Sequence, residues 1–205
     1  MNIKIGINRN VNYFSNFYEF DGINCNLNLL MKIDKSQVKI HRIGIPEIPV
    51  LIEYRLAYLS ELQGIRDELY ETQLKKDLEI YFRKSMKEGR FFSLYAELEG
   101  KILSFGGMVI KEIPGDSVKS SYLEGDILNM YTIPEARRQG ISSIILEQLL
   151  AAAKSMGISK VALHTSKDGE ILYRKFGFAE PVYPYLELLL NNKNLSIKES
   201  NIEGN

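Results

Sequence analysis

The spacing of apolar and polar positions changes along the chain, and each period marks an element. Residues 36–43, "SQVKIHRI", alternate and predict a strand. After Pro46 and Pro49, Leu51, Ile52, Leu56, Leu59 and Leu62 lie on one helical stripe. A second stripe holds Leu74, Leu78, Tyr81, Phe82 and Met86, with Gly89 as its stop. "RFFSLYAELEGKILSFGGMVIKEIP" predicts two strands joined by a hairpin at Glu99–Gly100. "GDILNMYTI" is a third strand of that run. "ISSIILEQLLAAAKSMG" then predicts a helix, with Ile141, Ile144, Ile145, Leu149, Ala152, Ala153 and Met156 turned to the core. A strand at "KVALHTS", a short helix at "GEILYRKFG" and a last strand at "YPYLELLL" complete the order. Hairpins and a strand–helix–strand crossover occur together, which predicts an α+β fold: a mixed, mostly antiparallel twisted sheet flanked by helices.

Length and composition fit one domain over residues 31–190 of the 205. Residues 1–30 are asparagine-rich without a clear period and read as an appendage; residues 191–205 read as a polar, mobile tail. The 26 basic residues balance the 26 acidic ones, which argues against nonspecific nucleic-acid binding. Any bound anion needs a local site. A single cysteine, Cys25, excludes an intramolecular disulfide framework and offers no metal cluster. The start lacks a signal-peptide layout, and no apolar run is long enough to span a membrane, so a cytoplasmic protein is expected.

One junction asks for chemistry. "RRQGIS", residues 137–142, lies where an apolar strand stops and an amphipathic helix begins. The first amides of a helix lack internal partners, and its dipole makes that end partly positive. Gly140 lets a ligand approach the backbone, and Arg137 and Arg138 add charge, so the hinge is a candidate phosphate nest. The plain alternative is a solvated turn. Neither a Gly-x-x-x-x-Gly-Lys-Ser/Thr loop nor a Gly-x-Gly-x-x-Gly loop occurs, which disfavours a nucleotide.

The surroundings extend the signal. Arg137-x-x-Gly140-x-Ser142 and Leu172-Tyr173-Arg174-Lys175-Phe176-Gly177-Phe178, in that order around a helix and a strand, resemble the acetyl-coenzyme A half of the GNAT superfamily of N-acetyltransferases. Ser142 departs from the usual Gly or Ala but is small. The resemblance implies acetyl-CoA as co-substrate, with Arg137, Arg138, Gln139, Gly140, Ile141, Ser142 and Ser143 at the pyrophosphate. It also implies a splayed strand whose Met130, Tyr131 and Thr132 pair with the pantetheine arm, and Tyr173 as the acid beside the sulfur. That acid needs a pKa comparable to the thiol's; the alternative for Tyr173 is a core aromatic beside Phe176 and Phe178.

The base is open. Asp126 lies four residues before Met130, and period-two alternation would place both on one face; a solvated carboxylate is the alternative. Glu97 and Glu99 are further candidates. His164, expected on the strand with Ala162, could face the site, and Arg55 could bind an acidic substrate group. The implied activity is acetyl transfer to a primary amine of a small molecule or peptide, with a noncatalytic acyl-CoA sensor as the alternative. Glu61, Asp67, Glu68 and Glu71 would suit a cationic acceptor. The last strand, exposed, leaves a homodimer open.

Overall fold

The computed structural model describes residues 32–64, 67–188 and 190. The chain divides into Met1–Ile33 and Asp34–Asn205, and the second unit carries everything below. The appendage expected over residues 1–30 and the polar tail expected over 191–205 lie outside the described residues.

Among the described residues five strands form one sheet in the order β1-β2-β3-β4-β5: β1 (Lys39–Arg42), β2 (Phe91–Leu98), β3 (Lys101–Pro114), β4 (Ser121–Thr132) and β5 (Ile158–Leu163). The first four pair antiparallel, whereas β4 and β5 run parallel. A parallel neighbour requires a crossover, supplied by α3 (Ile141–Ser155). The helices α1 (Ile48–Gln63) and α2 (Glu68–Lys87) precede β2, and α4 (Lys167–Lys175) follows β5. This is the expected mixed, mostly antiparallel α+β sheet.

Local chemistry explains the boundaries. The Asp67 side chain caps α2 by accepting from the Tyr70 amide at 2.9 Å. Glu68 and Glu71 occupy its first turn and Lys84 and Lys87 its last, each matching the helix dipole. The β2–β3 hairpin turns on Glu99 and Gly100, both with positive φ (51° and 82°), as a tight primed turn requires.

Each sheet face has its own apolar layer. Ile48, Leu51 and Ile52 of α1 join Leu78 and Phe82 of α2, packing on Phe91 and Phe105. On the other face, α3 buries Ile141, Ile145, Leu146, Leu149 and Ala153. Leu146 was not in the predicted stripe. Gly106 of β3 lets α3 approach: a Cβ there would lie 2.8 Å from Leu149 Cδ1 and against Met130 Sδ. Gly106→Ala should therefore cost about 1–3 kcal/mol, since overpacking forces side chains off their rotamers. A thermal melt should show a Tm several degrees lower.

One predicted element is absent. "YPYLELLL" forms no strand over its described residues, and Tyr183, Tyr185, Leu186 and Leu188 are exposed. Pro181 and Pro184 have no N–H to donate to a ladder. The dimer argued from that strand loses its basis.

Candidate active site

The nest is built by backbone conformation. Arg138 takes φ +61° and Gly140 φ +81°, and Gly140 caps α3 with no side-chain hydrogen bond. The first α3 bond back to the loop is from the Ile144 N–H to the Gly140 carbonyl at 3.4 Å. Among the described residues no acceptor meets the N–H groups of Gly140, Ile141, Ser142 and Ser143. Those amides leave an electropositive concavity at the helix start. The ammonium of Lys35 sits over it, 2.8 Å from where a Cβ on Gly140 would stand. Diphosphate fits this donor set: free amides, a glycine that permits close approach, and a cation above.

Beside the nest, the sheet opens. Pairing of β4 with β5 ends at Ile127↔Leu163, while β4 continues to Thr132 with β3 alone at its side among the described residues. A bulge drives the divergence. Gly107 pairs with Leu128 and Phe105 with Tyr131, so Asn129 and Met130 together oppose Gly106. Asn129 absorbs the extra residue at φ +58°.

The Tyr58 ring of α1 meets Tyr131 edge-on at 6.3 Å. Tyr173 of α4 is only 8% exposed and packs edge-on against Phe178 at 5.7 Å. Burial, aided by the Tyr58 phenol, pushes the Tyr173 phenol up to about 12. Tyr131 is also raised, first by burial and then by Glu61.

The Acetyltransferase (GNAT) family model matches residues 57–178, well over half of the chain. The protein belongs to the GNAT acetyltransferase family. Its co-substrate is acetyl-CoA. A predicted acetyltransferase from Clostridium acetobutylicum, solved with acetyl-CoA, is 27% identical, with a TM-score of 0.65 covering 75% of this chain and 96% of that one. A GCN5-related N-acetyltransferase from Ralstonia eutropha JMP134 shares the fold at 21% identity and TM-score 0.60, covering 74% and 98%. The glucosamine-6-phosphate N-acetyltransferase of Arabidopsis thaliana shares it at 21% and 0.55, covering 74% and 97%. No curated protein matches.

Within this GNAT chain, the sequence-derived residues fall into distinct groups. Arg138, Gly140, Ile141, Ser142 and Ser143 form the nest, and Gln139 lies in its turn with Nε2 donating to the Glu135 carbonyl at 3.1 Å. Arg137 is engaged elsewhere. Its N–H donates to the Pro134 carbonyl, its Nε to the Thr132 carbonyl at 2.9 Å, and its Nη2 to Glu61 at 2.6 Å. It latches the end of α1 to the end of β4, and its cation lies 5.6 Å over the Tyr131 ring.

Asp126 requires a correction. The Asn129 bulge breaks the alternation, so Asp126 and Met130 do not share a face. Met130 turns toward Gly106 and Leu149 under α3. Asp126 is paired opposite Val109, on the face of α1 and α2, and holds Lys111 at 2.5 Å. His164 falls just past β5 and is exposed, not on the strand as expected. Glu97 lies on β2 with His41 3.6 Å away, β3 separating it from β4, and Glu99 is in the hairpin turn.

Lys35 and Tyr58 were missed, because neither belongs to a motif and each enters through packing. Among the described residues no group of three or more His, Cys, Asp and Glu is placed to hold a metal, and no helix is long and apolar enough to cross a membrane.

Proposed function

We propose that the protein transfers the acetyl group of acetyl-CoA to a primary amine of a small molecule or peptide. The free amides at the start of α3, beside the strand opening beyond Ile127, carry this reading. The amides of Gly140, Ile141, Ser142 and Ser143 hold the diphosphate, with Lys35 and Arg138 adding charge. The unpaired edge of β4 over Met130, Tyr131 and Thr132 takes the pantetheine arm. The Met130 or Tyr131 amide donates to the thioester oxygen as charge develops there.

The amine nitrogen attacks the carbonyl carbon, the C–S bond breaks, and the sulfur leaves with the electron pair. An unperturbed thiol titrates at about 8.5, so a phenol at about 12 is the weaker acid by roughly three pH units. Full proton transfer from Tyr173 to the thiolate would therefore be uphill. Tyr173 instead keeps its proton and donates a hydrogen bond to the developing thiolate. Asp126, on the α1 and α2 face of β4 and paired with Lys111, is the carboxylate we assign to take the proton of the amine through water. Asp126→Asn should lower turnover about tenfold with the acetyl-CoA KM unchanged, read in steady-state thiol release; an unaltered rate removes Asp126 from the reaction.

The deciding assay is thiol release over a panel of amines, with mass spectrometry of the amine. Acetylated amine with matching thiol supports the proposal. Coenzyme binding without acetylation of any panel member would overturn it.

A further inference from the structure

Arg55, midway along α1, reaches across to the β4 bulge, where its Nη1 donates to Asn129 Oδ1. Asn129 is 6% exposed and holds a left-handed backbone that few non-glycine residues tolerate. Among the described residues its Nδ2 is buried without an acceptor, and so is Arg55 Nε. No carboxylate among the described residues pairs with Arg55; its ionisable neighbours are the phenols of Tyr58 and Tyr81. A guanidinium cannot shed its proton to escape this environment. Half-buried cations are costly unless an anion meets them, so this charge is unbalanced.

Its position gives the imbalance a meaning. Asn129 directly precedes Met130, and Tyr58, three residues along α1 from Arg55, touches Tyr131. The unpaired cation thus stands on the α1 side of the bulge, next to the proposed point of acyl transfer. Three of the four acidic residues that would have suited a cationic acceptor are committed elsewhere. Glu61 holds Arg137 at 2.6 Å, Glu71 holds Lys75 at 2.7 Å, and Asp67 caps α2.

We infer that the acceptor is an amine that also bears an oxyanion, carboxylate or phosphate, which pairs with the Arg55 guanidinium beside Asn129. This rests on the acetyl-transfer reading above and narrows its substrate class. A planar fork of N–H donors suits either oxyanion.

The test compares matched probes on the CoA-saturated protein by calorimetry, then with acetyl-CoA by thiol release. The carboxylate arm sets L-amino acids against their carboxamides, and the phosphate arm sets O-phosphoethanolamine against ethanolamine. The expected result is at least tenfold preference for the oxyanion member in one arm, which also identifies the oxyanion. In Arg55→Gln that preference should vanish through a raised KM while acetyl-CoA affinity holds, and Arg55→Lys should restore part of it. Equal handling of both members by the wild-type protein overturns the inference whether or not the variants fold. So does an equal loss for both members in Arg55→Gln. Preference in binding without thiol release supports the Arg55 site and sinks acetyl transfer; thiol release without preference does the reverse.

Discussion

Gly140→Val should weaken acetyl-CoA binding by about a hundredfold, measured by calorimetry, while the fold survives. At φ +81° a β-branched side chain is strained whatever the space around it, and its Cβ would displace the flexible end of Lys35, whose Nζ lies 2.8 Å away. The loop must shift, and amides aimed at one diphosphate lose their convergence. Losing two charge-assisted hydrogen bonds at about 1.5 kcal/mol each gives that hundredfold change. Strain at one left-handed residue costs only about 1–2 kcal/mol, so the melting temperature should fall by several degrees and no further. A variant that binds as tightly as the wild type would show that the α3 start is an ordinary turn.

Tyr173→Phe should lower kcat by about 10- to 100-fold with acetyl-CoA binding intact. That range is what one hydrogen bond to a charged partner is worth, about 1.5–3 kcal/mol. A true proton donor could contribute up to about 10⁴-fold. The phenol at about 12 does not titrate across the working range, so the pH–rate profiles of variant and wild type should keep the same shape. Stability supplies a second readout. The folded pKa lies above the ordinary value of 10, so the protonated form is favoured by folding. Its contribution is fully present below pH 10 and is lost as the pH climbs towards 12. Across that window the wild type should lose about 2–3 kcal/mol relative to Tyr173→Phe, which has no proton to release. A profile limb that disappears in the variant near neutral pH would mean that Tyr173 titrates after all.

How much of this was legible in the sequence depends on whether a residue acts locally or through a neighbour. Glu99–Gly100, Gly140 and Gly157 mark turns by backbone preference alone, and each has positive φ in the structure. The α2 stripe has its buried members at Leu78 and Phe82 because a 3.6-residue period is a local property. The bulge is different. Asn129 sits in an otherwise apolar run, and only the register against β3 reveals that it and Met130 share one partner. That extra residue separated Asp126 from Met130. Arg137 reads as a loop cation, yet Glu61, far away in the chain, claims it. Lys35 and Tyr58 reach the site only because the short turn before β1 brings Lys35 to Gly140 and α1 brings Tyr58 to Tyr131. The closing strand failed for a readable reason: the alternation of "YPYLELLL" contains Pro184, whose missing N–H outweighs the pattern.

The account depends above all on the amides that open α3, and amide NMR observes them one by one. Titrating the ¹⁵N-labelled protein with acetyl-CoA should move the resonances of Gly140, Ile141, Ser142 and Ser143 the most, with the Met130 and Tyr131 amides following. If those four signals stay in place while the coenzyme binds elsewhere, the diphosphate is not held there, and the assignment of the site is wrong.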